Sequence, residues 1–215
     1  MSSDEQLKSQ AELHFPEFRE SGSVNDNARK LMLKNTAEGY GVVTVLLHWV
    51  SALVVIGLFV AGVWMVDLTY YSSWYKTAPH IHKSVGILLL LATLFRLLWR
   101  LLNPKPVAQS SHKPWEVSVA AIAHAVIYAL LLTIMVAGIL ISTADGRGIW
   151  VFNWFEVPGF SAFFDNQADI AGDIHRYLAY CLIALVVLHA LGALKHHFID
   201  KDKTLIKMFT LLKGK

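Results

Sequence analysis

Between Val42 and Val66 the chain carries no formally charged residue, and at about 1.5 Å per residue such a run makes about 36 Å of helix, enough to cross a bilayer. No other feature limits the fold as severely, because the run recurs. A second apolar stretch goes from about His80 to Leu102, with Arg96 and Arg100 near its end. A third, Val117 to Ala144, is again free of charge, and a fourth runs from about Asp173 to His197 with Arg176 near one end. At 55% hydrophobic and 16% charged residues, the composition excludes an ordinary soluble domain. The expected fold is all-α: an antiparallel bundle of four transmembrane helices over residues 41–198, preceded by a flexible polar extension, 1–40, and followed by a basic tail, 199–215.

Direction follows from the short flanks. Arg29, Lys30 and Lys34 precede the first span, Lys105 and Lys113 separate the second from the third, and Lys195, Lys201, Lys203 and Lys207 follow the fourth. The inside-positive bias puts these flanks and both termini on the cytoplasmic side. The remaining loops, Asp67 to Pro79 and Asp145 to Gly172, offer Lys76 and Arg147 against Asp67, Asp145, Glu156, Asp165 and Asp169, and so face outward. Their aromatic residues, Trp74, Trp150 and Trp154 among them, read as an interfacial belt. The polar head holds no signal-peptide core, and Leu31 to Leu33 fit the membrane surface. Cys181 is the only cysteine, so there is no disulfide framework, thiolate metal site or covalent haem attachment. Nothing in the pattern calls for nucleic acid as a partner or sets an oligomeric state; membrane lipid is implied throughout.

Ionisable groups inside a span are expensive, so each intramembrane histidine is a functional candidate. His175 and His189 are 14 residues apart, about 21 Å along the helix and within about 40° of a whole number of turns, which points both to one side near opposite faces of the bilayer. Spans two and four both begin outside, bringing His82 and His175 to the same depth. Span one begins inside, which levels His48 with His189. Two imidazoles across a gap, repeated at two depths, is what two six-coordinate haems stacked across a membrane require, held noncovalently. Hydrogen bonding between helices is the alternative for a lone histidine, and a closed zinc site lacks ligands. Gly62 lies 14 residues after His48 and Gly138 14 after His124; both face inward at the outer level, where they serve either a porphyrin or close helix packing. Arg96, 14 residues after His82, faces the inner level, where it either meets haem propionates or snorkels to lipid phosphate. His80, two residues and about 200° from His82, cannot face the same iron.

The stretches LLHW at Leu46, HIHKSVGILLLL at His80, RLLWR ending at Arg100, AHAVIY at Ala123, DIHRYLAY at Asp173 and LHALGALKHHFIDKDKTL at Leu188 resemble the prokaryotic cytochrome b561 family over roughly residues 36 to 210. The resemblance implies four helices, two b haems and exchange of electrons with the quinone pool, with ligand positions on His48, His82, His175 and His189. It also implies a quinone beside His124 and His196 near the inner haem. Some relatives oxidise superoxide at a positively charged outer surface, whereas the acidic outer loops here would repel a small anion.

With both axial positions taken, neither iron keeps an open site, and outer-sphere electron transfer in a respiratory chain is expected. The inner end reads as a site for ubiquinone or a related quinone, formed by His124, His196, His197 and Lys195, because quinone reduction needs protons that histidine supplies near neutral pH. An interfacial pair at a helix end is the competing reading for His196 and His197. A soluble periplasmic redox partner is compatible with the outer loops, as is an anchor role for a larger oxidoreductase. A haem-free transporter with histidine proton relays is a further rival.

Overall fold

The computed structural model describes residues 33–37, 39–107 and 113–209. Most of the proposed polar extension, including Arg29 and Lys30, and the last six residues of the tail lie outside the described residues. Four long helices dominate: α1 Val42–Val66, α2 Thr77–Leu102, α3 Pro114–Thr143 and α4 Gln167–Phe198. Each is long and apolar enough to span a membrane. A short α5, Thr204–Phe209, follows. Much of each helix surface is apolar and exposed, as at Leu53, Leu91, Val136 and Leu188. Lipid tails solvate such a face as well as a protein core would.

α3 packs chiefly on α4, and α1 on α2. Ends that the apolar runs placed at His80, Val117 and Asp173 begin earlier, because polar residues there still complete helical hydrogen bonding. Gln167 shows why: almost wholly buried, its side chain donates to the Leu140 carbonyl at 3.0 Å and accepts from the Phe163 amide at 2.8 Å, which pins the start of α4 to the end of α3. Pro114 opens α3, and Glu116 accepts from the Lys113 amide at 3.0 Å, covering one of the orphan donors of that first turn.

To the four helices the structure adds a β-hairpin, β1 Ile149–Val151 paired antiparallel with β2 Phe155–Val157. Several of the aromatic residues read as a membrane belt sit in it. Ile149 and Val151 are buried against Ile87 and half-buried Ile139, so the hairpin is wedged against α2 and α3. Its turn holds Phe152 at φ 46° and Asn153 at φ 59°. Asparagine tolerates that region, but phenylalanine is rare there. Phe152 is held by Ser84, whose hydroxyl accepts from the Phe152 amide at 3.0 Å and donates to the His80 carbonyl at 2.8 Å.

The opposite end is tied by side chains from distant segments. Asn35 accepts from Gly41 N at 3.0 Å and Thr44 Oγ1 at 2.7 Å and donates to the Pro104 carbonyl at 3.1 Å. Trp49 donates to the Met208 carbonyl at 2.8 Å and packs on Phe209, holding α5 against α1. The bundle thus has a hairpin end and a tail end.

Candidate functional site

Positions seven residues apart return to nearly the same face after two turns, and the four helices use this to build three levels. Nearest the hairpin are Gly62, His82, Gly138 and His175. Seven residues further along each helix, Val55, Leu89, Leu131 and Leu182 form a middle level, the three leucines buried in one apolar cluster. Seven more lead to His48, Arg96, His124 and His189 at the tail level.

At the hairpin level His82 and His175 face each other with ring centroids 6.2 Å apart. At the tail level His48 and His189 do so at 6.4 Å. An imidazole nitrogen binds a transition-metal ion at about 2 Å and lies about 1.1 Å from its own ring centre, so imidazoles on opposite sides of one ion have centroids about 6 Å apart. Both pairs have that separation. His80 turns away, its ring against Phe152.

The hairpin-level pair borders a cavity of about 430 Å³. Its walls include both histidines and both glycines, and a methyl group on either glycine would press on a ring: 3.4 Å from His82 Cε1 at Gly62, 3.3 Å from His175 Cε1 at Gly138. His175 is further fixed by a 2.8 Å bond between its Nδ1 and the Ile134 carbonyl. A carbonyl can only accept, so the proton sits on Nδ1 and Nε2 keeps its lone pair, the tautomer a metal ligand needs. Ile134 is one turn before Gly138, and the missing side chain leaves that carbonyl open to the imidazole. His82 Nδ1 is buried with no partner among the described residues.

The tail level is polar where the hairpin level is small. His124 lies 5.1 Å from His189, centroid to centroid. The Arg96 guanidinium donates to His48 Nδ1 at 2.9 Å. Arg96 and Arg100 both lie over the Tyr128 ring, at 5.5 and 5.6 Å. Beyond them, Lys195 bridges Glu116 at 2.7 Å and Asp200 at 2.8 Å, while His196 Nδ1 meets Asp200 at 2.7 Å and Asp202 at 3.6 Å. The bond from Lys195 holds the Asp200 carboxyl below the usual carboxylate range. His197 packs on Phe198, and its buried Nδ1 has no partner among the described residues.

Sequence reasoning missed four contributors. Lys83 and Arg176 line the hairpin-level cavity, and the available signal was that each directly follows a cavity histidine. Tyr128 and Asp200 had no such marker, since their partners come from other helices or from beyond a helix end.

A four-span bundle that sets imidazoles face to face at two depths, with room for a flat group beside one pair, has the architecture of a membrane metalloprotein suited to iron porphyrin. Residues 39–211 match the family model described as prokaryotic cytochrome b561. The chain is 49% identical over 174 residues to cytochrome b561 homolog 2 of Escherichia coli, covering 81% of this chain and 93% of that protein. It is 34% identical over 144 residues to the probable superoxide oxidase CybB of Yersinia pestis, covering 67% and 80%. With cytochrome b561 homolog 1 of E. coli it shares 27% identity over 162 residues, covering 75% and 92%. The chain belongs to the prokaryotic cytochrome b561 family: a multi-pass cytochrome of the bacterial inner membrane that works in electron transfer with b-type haem.

Proposed function

We propose that the protein conducts electrons across the membrane between two bis-histidine b haems, held by His82 and His175 at one level and by His48 and His189 at the other, and exchanges them with a quinone at the tail end. The carrying observation is the pair of matched imidazole separations, 6.2 and 6.4 Å, at two depths of one bundle. When bound, the haems supply reversible one-electron chemistry. The chain supplies the rest. Val55, Leu89, Leu131 and Leu182 put an apolar layer without a titratable side chain between the levels, which electrons can tunnel through and protons cannot readily cross. His175 is oriented by Ile134. Ligation through His48 Nε2 would place its proton on Nδ1 and end the bond from Arg96, leaving that guanidinium available to an anionic edge at this level, with Gly62 and Gly138 making room at the other.

The tail end is proposed to face the cytoplasm, since it gathers Lys34, Lys105, Lys113, Lys195, Lys201, Lys203 and Lys207. Quinone reduction consumes protons, and His124 stands beside His189 with Arg96, Arg100 and Tyr128 at the same level. His196, bonded to Asp200 and near Asp202, is suited to passing protons inward from the surface. His124→Ala and His196→Ala are expected to keep both haems and to slow their reoxidation by a soluble quinone analogue by about 10²-fold or more, the usual size of a lost general acid. Loss of a haem in either variant makes that histidine a ligand or support. Normal reoxidation in both puts the quinone elsewhere.

Superoxide oxidation, the activity for which the Y. pestis relative is named, has one feature in its favour, the cations Lys83 and Arg176 at the cavity. Net charge weighs against it. The hairpin end carries Asp67, Asp145, Glu156, Asp165, Asp169 and Asp173 against Lys76, Lys83, Arg147 and Arg176, and Asp145 and Arg147 neutralise each other in an ion pair.

A further inference from the structure

The hairpin-level cavity has an apolar body and a charged margin. Leu58, Phe59, Leu131 and Leu182 line it, and so do the cationic residues Lys83 and Arg176 and the acidic Asp67. Each cation follows a cavity histidine, so a single 100° step around the helix carries the chain from the ring to the cation beside it. Because His82 is on α2 and His175 on α4, the two cations come from different helices and serve one cavity. Both residues are exposed, and neither forms an ion pair among the described residues. Their placement also runs against the inside-positive bias. Two cations without an ion-pair partner among the described residues, at the end where cations are disfavoured and on the margin of the cavity beside the facing imidazoles, call for an anionic partner with two charges along one edge.

We propose that Lys83 and Arg176 clamp the two propionates of the haem at the hairpin level, and thereby set both its retention and its midpoint potential. The proposal rests on the reading of His82 and His175 as that haem's ligands. A carboxylate at the mouth of a low-dielectric cavity forms strong charge-assisted bonds with ammonium or guanidinium. The same positive charges favour the reduced iron, which carries one charge less than the oxidised iron. At about 10 Å and an effective dielectric of about 20, one removed cation lowers the reduced-to-oxidised ratio about tenfold at a fixed ambient potential.

The test is an equilibrium redox titration of the purified haem-loaded protein, with haem counted per chain, for Lys83→Gln, Arg176→Gln, the double variant, the conservative Lys83→Arg and Arg176→Lys, and Lys76→Gln as a cation at the same end but away from the cavity. The spectral component that His82→Ala removes should become harder to reduce, about tenfold in ratio for each neutralised cation and more in the double variant. The conservative variants and Lys76→Gln should stay near wild type, and the tail-level component should not move. Selective loss of the hairpin-level haem from the double variant, with the tail-level haem kept, also supports the clamp. If the double variant loses both haems, the single variants decide. An unchanged midpoint in both single variants overturns the proposal, as does an equal shift with Lys76→Gln. A wild-type protein with no component that depends on His82 sinks the ligand assignment itself, a different failure.

Discussion

The hairpin and tail levels present the same four helix faces fourteen residues apart, yet they are furnished in opposite ways. Around His82 and His175 the neighbouring positions are Gly62 and Gly138, and the space they leave belongs to a cavity of about 430 Å³. Around His48 and His189 the other two helices bring Arg96 and His124, both within reach of a ligand candidate. The contrast extends to hydrogen bonding: His175 Nδ1 is met by a carbonyl that can only accept, His48 Nδ1 by a guanidinium that can only donate. One level leaves open space beside its imidazoles in largely apolar surroundings. The other surrounds its imidazoles with a guanidinium and a further imidazole. The proposed function calls for that asymmetry, since exchange with a quinone would combine electrons with protons at one face only.

Removing the proposed ligands tests the contrast with the largest expected effect. His82→Ala and His175→Ala should each abolish one and the same component of the visible spectrum, and His48→Ala and His189→Ala the other, while His80→Ala keeps both. If His80→Ala loses a component that His82→Ala retains, the pairing at the hairpin level is wrong. Filling the glycine gaps has a smaller effect and reaches only one level. Gly138→Val should cut haem occupancy at the hairpin level about tenfold, the outcome of roughly 1.4 kcal/mol of crowding, because His175 is tied to Ile134 and cannot retreat from the new side chain. Gly62→Val should cost less, since the His82 ring has no such tether. Equal losses at both levels would mean that the glycines serve helix packing in general.

How far the sequence foretold this depends on the range of the interaction. The spans were legible because a run such as Val42–Val66 without charge has few other fates, and the histidine levels because helical periodicity carries geometry across 14 residues of one chain segment. The assignment of Gly62 and Gly138 to one level needed nothing more, and both lie against the imidazoles expected there. The hairpin escaped notice: Ile149–Val151 and Phe155–Val157 are three residues each, too short for a period, and the left-handed Phe152 gives its amide to Ser84, 68 residues away. The Glu116–Lys195–Asp200 network likewise joins the first turn of α3 to the end of α4 and the turn beyond it, a link of 79 residues between Glu116 and Lys195 that no local pattern encodes.

The central claim is that two levels hold two haems, and a pyridine haemochrome assay on protein expressed with excess haem measures it most directly. Two b haems per polypeptide, both low-spin, is the predicted result. One haem per chain, or none, would contradict the account.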